Sequence, residues 1–183
     1  RRSWGLASCY DPDTNQVIFV YGDSRNNEYS TVVVMAADKS IGSAVVIQTT
    51  GSAFHNAPVY NTQENKIMIN YMASHSSNDY YMVGGTVGTK TVTMNASGRG
   101  TVHDGSTGNA QGDVTDVASY NPTANVAVAA FEDGSDSAKN KAVACTIGSD
   151  NSITVGTPVT FLDDSLEFFA LAYDPDLGVH VVS

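Results

Sequence analysis

The sequence predicts an all-β fold, a β-propeller-like array of four-stranded antiparallel blades with about three blades and part of a fourth. Three observations predict it. A Tyr-Asx-Pro-like motif followed by an apolar run occurs four times, at Tyr10-Asp11-Pro12, Tyr60-Asn61-Thr62, Tyr120-Asn121-Pro122 and Tyr173-Asp174-Pro175, with the tyrosines 50, 60 and 53 residues apart. Self-similarity at that period marks stacked supersecondary units. Runs rich in Val, Ile, Thr and Tyr alternate with clusters of Asp, Asn, Gly and Ser, the pattern of strands and turns, and the first repeat has no helical period. The second run of each repeat, such as Val17–Tyr21 or Val126–Phe131, is nearly all apolar, as a strand covered on both faces would be. Units of that kind pack face to face around an axis. A β-sandwich is the alternative, although a sandwich requires no repeat.

In chain order, the first repeat offers strands at Leu6–Tyr10, Val17–Tyr21, Tyr29–Ala36 and Ser43–Gln48. The second offers Ala57–Tyr60, Lys66–Met72, Tyr80–Val87 and Thr91–Met94. The third offers Val117–Tyr120, Val126–Phe131, Ala142–Ile147 and Ile153–Phe161, and the fourth Phe169–Tyr173 and Val179–Val182. Each run is closed by residues that favour turns. The repeats divide at residues 1–55, 56–112, 113–165 and 166–183. The extra length of the second repeat falls in 95–112, which holds five glycines and is expected to be an exposed insertion. Propellers have at least about four blades, so further blades or other structural subunits are expected to complete the ring.

The motif itself reads as turn chemistry. Asp or Asn after the tyrosine can bond its own backbone two residues on, and Pro presets the first corner of a turn. Asn15, Asn65, Asn125 and Gly178 each lie five residues after the tyrosine, and Asn and Gly best tolerate a left-handed backbone. The second aromatic, Tyr21, Tyr71 or Phe131, falls eleven residues after the first and is expected between neighbouring blades. Asp23 and Asp133 follow it, whereas the second repeat has Ala73, which argues against a shared chemical role for that aspartate.

The chain has 183 residues, 42 % of them hydrophobic and 15 % charged, and a net charge of -10. That is apolar enough to bury a core. The acidic balance argues against nucleic acid, whose phosphates need clustered Lys or Arg. The single basic pair, Arg1-Arg2, reads as a flexible arm. No apolar run approaches the roughly 20 residues of a membrane-spanning helix, so no membrane partner is expected. Cys9 and Cys145 sit in different strands of different repeats and are expected to be buried free thiols.

Sharper chemistry finds little footing. Asp11, Asp13 and Asn15 have the spacing that begins a calcium loop, but the sixth position has no Gly and the other copies lack the charge. The motif is therefore read as a turn, with no cofactor. His55, His75, His103 and His180 show no metal-ligand spacing, and His75 and His103 are expected to be solvated loop residues. No Gly-x-Ser-x-Gly elbow occurs. Asp163, Asp164 and Glu167 could serve a glycosidase, but a solvated charge run explains them as well. The adjacent aromatic pairs Tyr80-Tyr81 and Phe168-Phe169 must each send one ring away from the other. The candidate ligand-binding residues are accordingly Tyr80, Tyr81, His75, Asp79, His103 and Asp104, in or beside the loops 75–79 and 95–112. Asn95-Ala96-Ser97 is a glycosylation sequon.

The stretch Tyr10 to Asp23 and the closing Gly156-Thr157-Pro158-Val159-Thr160-Phe161 resemble the blade-like repeats of marine bacteriophage tail-fibre and other virion structural proteins, and of related large extracellular repeat proteins. The second repeat departs most, with Thr62 for Pro and Ala73 for Asp. The resemblance implies a non-enzymatic structural or adhesive module, on a virion surface or otherwise extracellular, contacting a cell-surface glycan or partner protein. A structural protomer of an extracellular filament is the alternative, and a propeller glycosidase comes third.

Overall fold

The computed structural model describes residues 3–49, 52–74, 79–104, 117–137, 139–164 and 170–183. Strands dominate the described residues. Sheet 1 holds β1 (Ser3–Asp11), β2 (Gln16–Asp23), β3 (Tyr29–Met35) and β4 (Val45–Val46), paired in that order. Sheet 2 holds β5 (Ser52–Asn61), β6 (Lys66–Ser74), β7 (Asp79–Gly88) and β8 (Thr91–Met94), with β9 (Gly100–His103) also on β7. Sheet 3 holds β10 (Val117–Asn121), β11 (Val126–Asp133), β12 (Lys139–Ile147) and β13 (Ile153–Val155), with β14 (Val159–Leu162) also on β12. The strands β15 (Leu171–Asp174) and β16 (Val179–Val182) form a hairpin. All pairing is antiparallel.

The four motif copies fold into one turn. The Oδ1 atoms of Asp11, Asn61, Asn121 and Asp174 each accept the backbone N–H two and three residues on, at 2.9–3.2 Å. Asn15, Asn65, Asn125 and Gly178 have φ of 53°, 54°, 54° and 69°, the left-handed corner anticipated for them. The tyrosine hydroxyls then join one repeat to the one before it. Tyr60 donates to Asp13 at 3.1 Å and Tyr120 to Asn61 at 2.7 Å, while Tyr173 reaches Thr123 at 3.5 Å. Tyr10 has no such partner among the described residues; it donates to its own Asn15 at 2.9 Å.

The sheets lie face to face in series. Ile18, Val20, Val32 and Val34 of sheet 1 pack on Ile67, Ile69 and Tyr71 of sheet 2. The other face of sheet 2, with Met68, Met72, Tyr80 and Met82, packs on Ala127, Ala129 and Phe131 of sheet 3. Ala130 of sheet 3 meets Leu171 and Val182 of the hairpin. Burying one aliphatic side chain stabilises by about 1.5–3 kcal/mol, against about 1 kcal/mol for a hydrogen bond. Packing therefore holds the sheets together, and the tyrosine hydroxyls fix how they align. Polar bolts add to the alignment at the periphery. Gln16 donates to the Gly88 carbonyl at 3.1 Å and accepts from Lys90 N at 2.7 Å, while Lys66 Nζ reaches the Gly148 carbonyl.

Several expectations need correction. Only β6 is buried on both faces along its described length; β2 alternates between buried and half-buried residues, because sheet 2 covers one of its faces and no described sheet covers the other. The segment 95–112 is not simply an exposed insertion. Asn95 caps a 3-10 turn at Ala96–Gly98, Gly100–His103 joins sheet 2 as β9, and Val102 is buried; residues 105–112 lie outside the described residues. Ile153–Phe161 is two strands, not one, since Pro158 has no N–H to continue a ladder. Ser43–Gln48 shortens to the pair Val45–Val46. Cys145 is a buried free thiol, but the free thiol Cys9 is only half-buried. Arg1-Arg2, His75, Glu167 and Phe168-Phe169 also lie outside the described residues. No helix among the described residues is long and apolar enough to cross a membrane.

Candidate functional site

Each second strand runs from a Tyr-Asx turn to the opposite end of its sheet, and the chemistry-bearing side chains gather at that far end of sheets 2 and 3. The pairing of β9 on β7 sets His103 directly across from Tyr80. Both side chains turn inward. The Tyr80 ring lies 6.1 Å from Phe131, and the His103 ring stacks on Phe131 at 5.2 Å. The sequence reading of His103 as a solvated loop residue is thus corrected, and Tyr80, 1 % exposed, is a core residue. His103 Nε2 lies 3.7 Å from Asp133 Oδ1. Burial pushes the imidazole below its ordinary value, and the Asp133 charge only partly opposes this.

Asp133 anchors the network. Its carboxylate accepts Ser135 N at 3.0 Å and Lys141 Nζ at 2.7 Å. Burial alone would raise its pKa, but the bonds from Lys141 and Ser135 hold it below the usual carboxylate range. Lys141 also lies 2.9 Å from Asp136, and Lys139 bridges Asp136 and Asp163 at 3.4 Å each. Those carboxylates raise the pKa of both lysines. The outcome is a patch with a paired charged centre, half-buried at Asp136 and exposed at Asp163, rather than a free acid or base.

Tyr81, one residue from Tyr80, faces the other way. Its hydroxyl donates to Asp79 at 2.9 Å, and the Arg99 guanidinium sits 4.0 Å from its ring centroid, a cation–π arrangement. Arg99 forms no ion pair among the described residues. It borders a cleft of about 380 Å³ between sheets 1 and 2, which Ile47, Gln48, Thr49 and Ser97 also line. Asp104 ends the chain of candidates and is exposed. The structure therefore brings Asp79, Tyr80, Tyr81, His103 and Asp104 to one sheet end but splits them between two faces. Sequence reasoning missed Arg99, Lys139, Lys141 and Asp136. The Lys-x-Lys spacing across from Asp133 could have found the second and third, because alternate strand residues share a face.

The remaining candidates are occupied structurally. Asp11 is buried within its turn, with a carboxyl held below its ordinary value because the hydrogen bonds from Thr14, Tyr60 and the turn backbone outweigh its desolvation. Asn15 Oδ1 accepts from Tyr10, and Asp13 accepts from Tyr60. No group of three or more His, Cys, Asp or Glu able to hold a metal occurs among the described residues. Asn95 of the sequon donates its amide to the Asp150 carbonyl at 2.9 Å. A second cavity, about 290 Å³ and open, is lined by Ser8, Asn56, Pro58, Ala118 and Leu171 among others, from the first strand of every repeat and, in the fourth, Ala170 just before it.

No protein-family model matches the chain, and no curated protein matches it. The site must be read from its own chemistry.

Proposed function

We propose that the chain is a propeller-like, non-enzymatic scaffold whose far-end surface and Arg99 cleft contact a cell-surface glycan or a partner protein, as a structural or adhesive module of a virion tail fibre or similar extracellular assembly. The observation that carries this reading is the consumption of the repeated motif in construction: three tyrosine hydroxyls and four Asx side chains are spent on turns and on the joints between sheets. Residues at the first strand of all four repeats border one open cavity, which supports a radial arrangement. Lysines paired with carboxylates and an aromatic-backed guanidinium suit recognition of hydroxyl-rich or acidic surfaces better than proton transfer. Repeated weak contacts of this kind gain strength through multivalency.

A glycan array and whole-cell binding test the proposal. Binding without product, reduced at least tenfold by Arg99→Gln or by Tyr81→Ala, is the expected result. Polysaccharide turnover, or binding indifferent to both substitutions, counts against it.

A further inference from the structure

The cleft between sheets 1 and 2 has walls from two consecutive repeats. One wall is the segment after β4, Ile47, Gln48 and Thr49; the other is the 3-10 turn with Ala96 and Ser97, followed by Arg99. Its volume of about 380 Å³ falls at the low end of the range of small-ligand sites, about 300–1,000 Å³. Among the described residues that line it, Arg99 is the one charged group. The chain carries 19 Asp and Glu, yet no described carboxylate pairs with that guanidinium. A cation left unpaired in an acidic chain, at the wall of a cleft, suits an anionic guest.

The cation is held in place before any guest arrives. Its plane lies on the Tyr81 ring at 4.0 Å, and its charge opposes the upward push that burial exerts on the Tyr71 hydroxyl. The turn that presents it is pinned: Asn95 Oδ1 accepts from Gly98 N and Ser97 Oγ at 3.0 Å each, and Asn95 Nδ2 donates to the Asp150 carbonyl at 2.9 Å. On the other side, Gly100 packs so closely that a Cβ would lie 2.4 Å from Val155. A guanidinium fixed in this way loses little freedom on binding.

The rest of the lining narrows the guest. Arg presents a planar fork that matches a carboxylate bidentately. Thr49 and Ser97 are exposed hydroxyl residues, and Ser97 Oγ, donating to Asn95, keeps its lone pairs for another donor. Ile47 and Ala96 supply a small apolar surface. One carboxylate, several hydroxyls and a C–H face together describe an acidic sugar. A phosphate monoester carries about 1.5–2 negative charges, more than one guanidinium balances in a chain that is already negative.

We propose that the Arg99 cleft is a subsite for a carboxylated sugar residue, with the guanidinium on the carboxylate and Thr49 and Ser97 serving the ring hydroxyls. This names the ligand class of the glycan contact proposed above and rests on that reading.

Ligand-observed NMR titrations of the full chain with methyl glucuronide and methyl glucoside test it, because the two differ only in a carboxylate against a hydroxymethyl group. The glucuronide is expected to bind at least about fivefold more tightly, and the preference to shrink in about 0.5 M NaCl. Arg99→Gln is expected to erase the preference. Arg99→Lys keeps the charge without the fork and is expected to lower it at least twofold, with far-ultraviolet circular dichroism checking that both variants fold. Equal binding of the two sugars by the wild type overturns the proposal, as does a preference that survives Arg99→Gln. Acetate competing as well as the glucuronide overturns it too, since the sugar ring would then play no part, and so does tighter binding of glucose 6-phosphate. Array binding confined to neutral glycans refutes this subsite alone and leaves the adhesive reading standing. Arg99-dependent glucuronide binding by a protein that holds no array glycan and no cell supports the subsite and counts against the adhesive reading.

Discussion

Removing the hydroxyl of Tyr120 separates the two roles a motif tyrosine can play. That oxygen lies 2.7 Å from Asn61 Oδ1 and 3.0 Å from Asn125 Oδ1, and Asn61 Nδ2 closes the triangle by donating to Asn125 at 2.9 Å. Asn61 is 1 % exposed. Tyr120→Phe leaves the ring in place and deletes one joint between repeats. A net hydrogen bond contributes about 1 kcal/mol, and stranding a buried acceptor costs about 1–3 kcal/mol. Asn61 Oδ1 keeps two backbone donors, Gln63 N and Glu64 N, so the lower end applies and the cost is about 1 kcal/mol. With a urea slope of about 2 kcal/mol/M, the midpoint falls by about 0.5 M at unchanged slope. Tyr10→Phe removes a bond that stays within its own exposed turn and is expected to change stability by less than about 0.5 kcal/mol. Equal shifts for the two variants, measured side by side, would refute the argument that these hydroxyls act between repeats.

Further outcomes follow from single positions. Gly178→Ala places a Cβ at φ 69° and is expected to cost about 1 kcal/mol, while Asn65→Gly at φ 54° is expected to be nearly neutral, both read from denaturation midpoints. Asn70 is fully buried, and neither of its amide atoms has a hydrogen-bond partner among the described residues; Asn70→Leu is expected to raise stability by about 1 kcal/mol. Burial pushes the Cys145 thiol up to about 12, and burial followed by the Asp11 charge does the same for Cys9, so neither is expected to alkylate at pH 8 until urea is added. His103 has a lowered folded pKa, so its contribution is complete above about 6.5 and lost as pH falls through the folded value. Asp133, also lowered, adds a second loss below about pH 4, and His103→Gln is expected to remove only the first limb of midpoint against pH.

The repeat and its turns were legible because they are local. Asx hydrogen bonds and a left-handed corner are written within six residues, and all four copies adopt them. The far-end cluster was not legible in the same way. Tyr80 and His103 are 23 residues apart and meet only because Gly100–His103 pairs on β7 beside β8, a second use of one strand that no periodicity announces. The five glycines of 95–112 signalled a loop, yet Gly100 serves packing: a Cβ there would lie 2.4 Å from Val155. His103 looked solvated because its flanking residues are polar, while Phe131, the ring it stacks on, belongs to the next repeat.

A chain whose units touch only their neighbours melts from its least covered members inward. Among the described residues, sheet 2 has a partner on each side, whereas sheet 1 and the β15–β16 hairpin each have one. Amide exchange should therefore be graded, slowest along β6, intermediate in β11 and fastest at β16. Anything that seats on the outer face of sheet 1 would slow exchange in β2 and β3 first, with the protection passing to the next sheet through Tyr60 and Asp13.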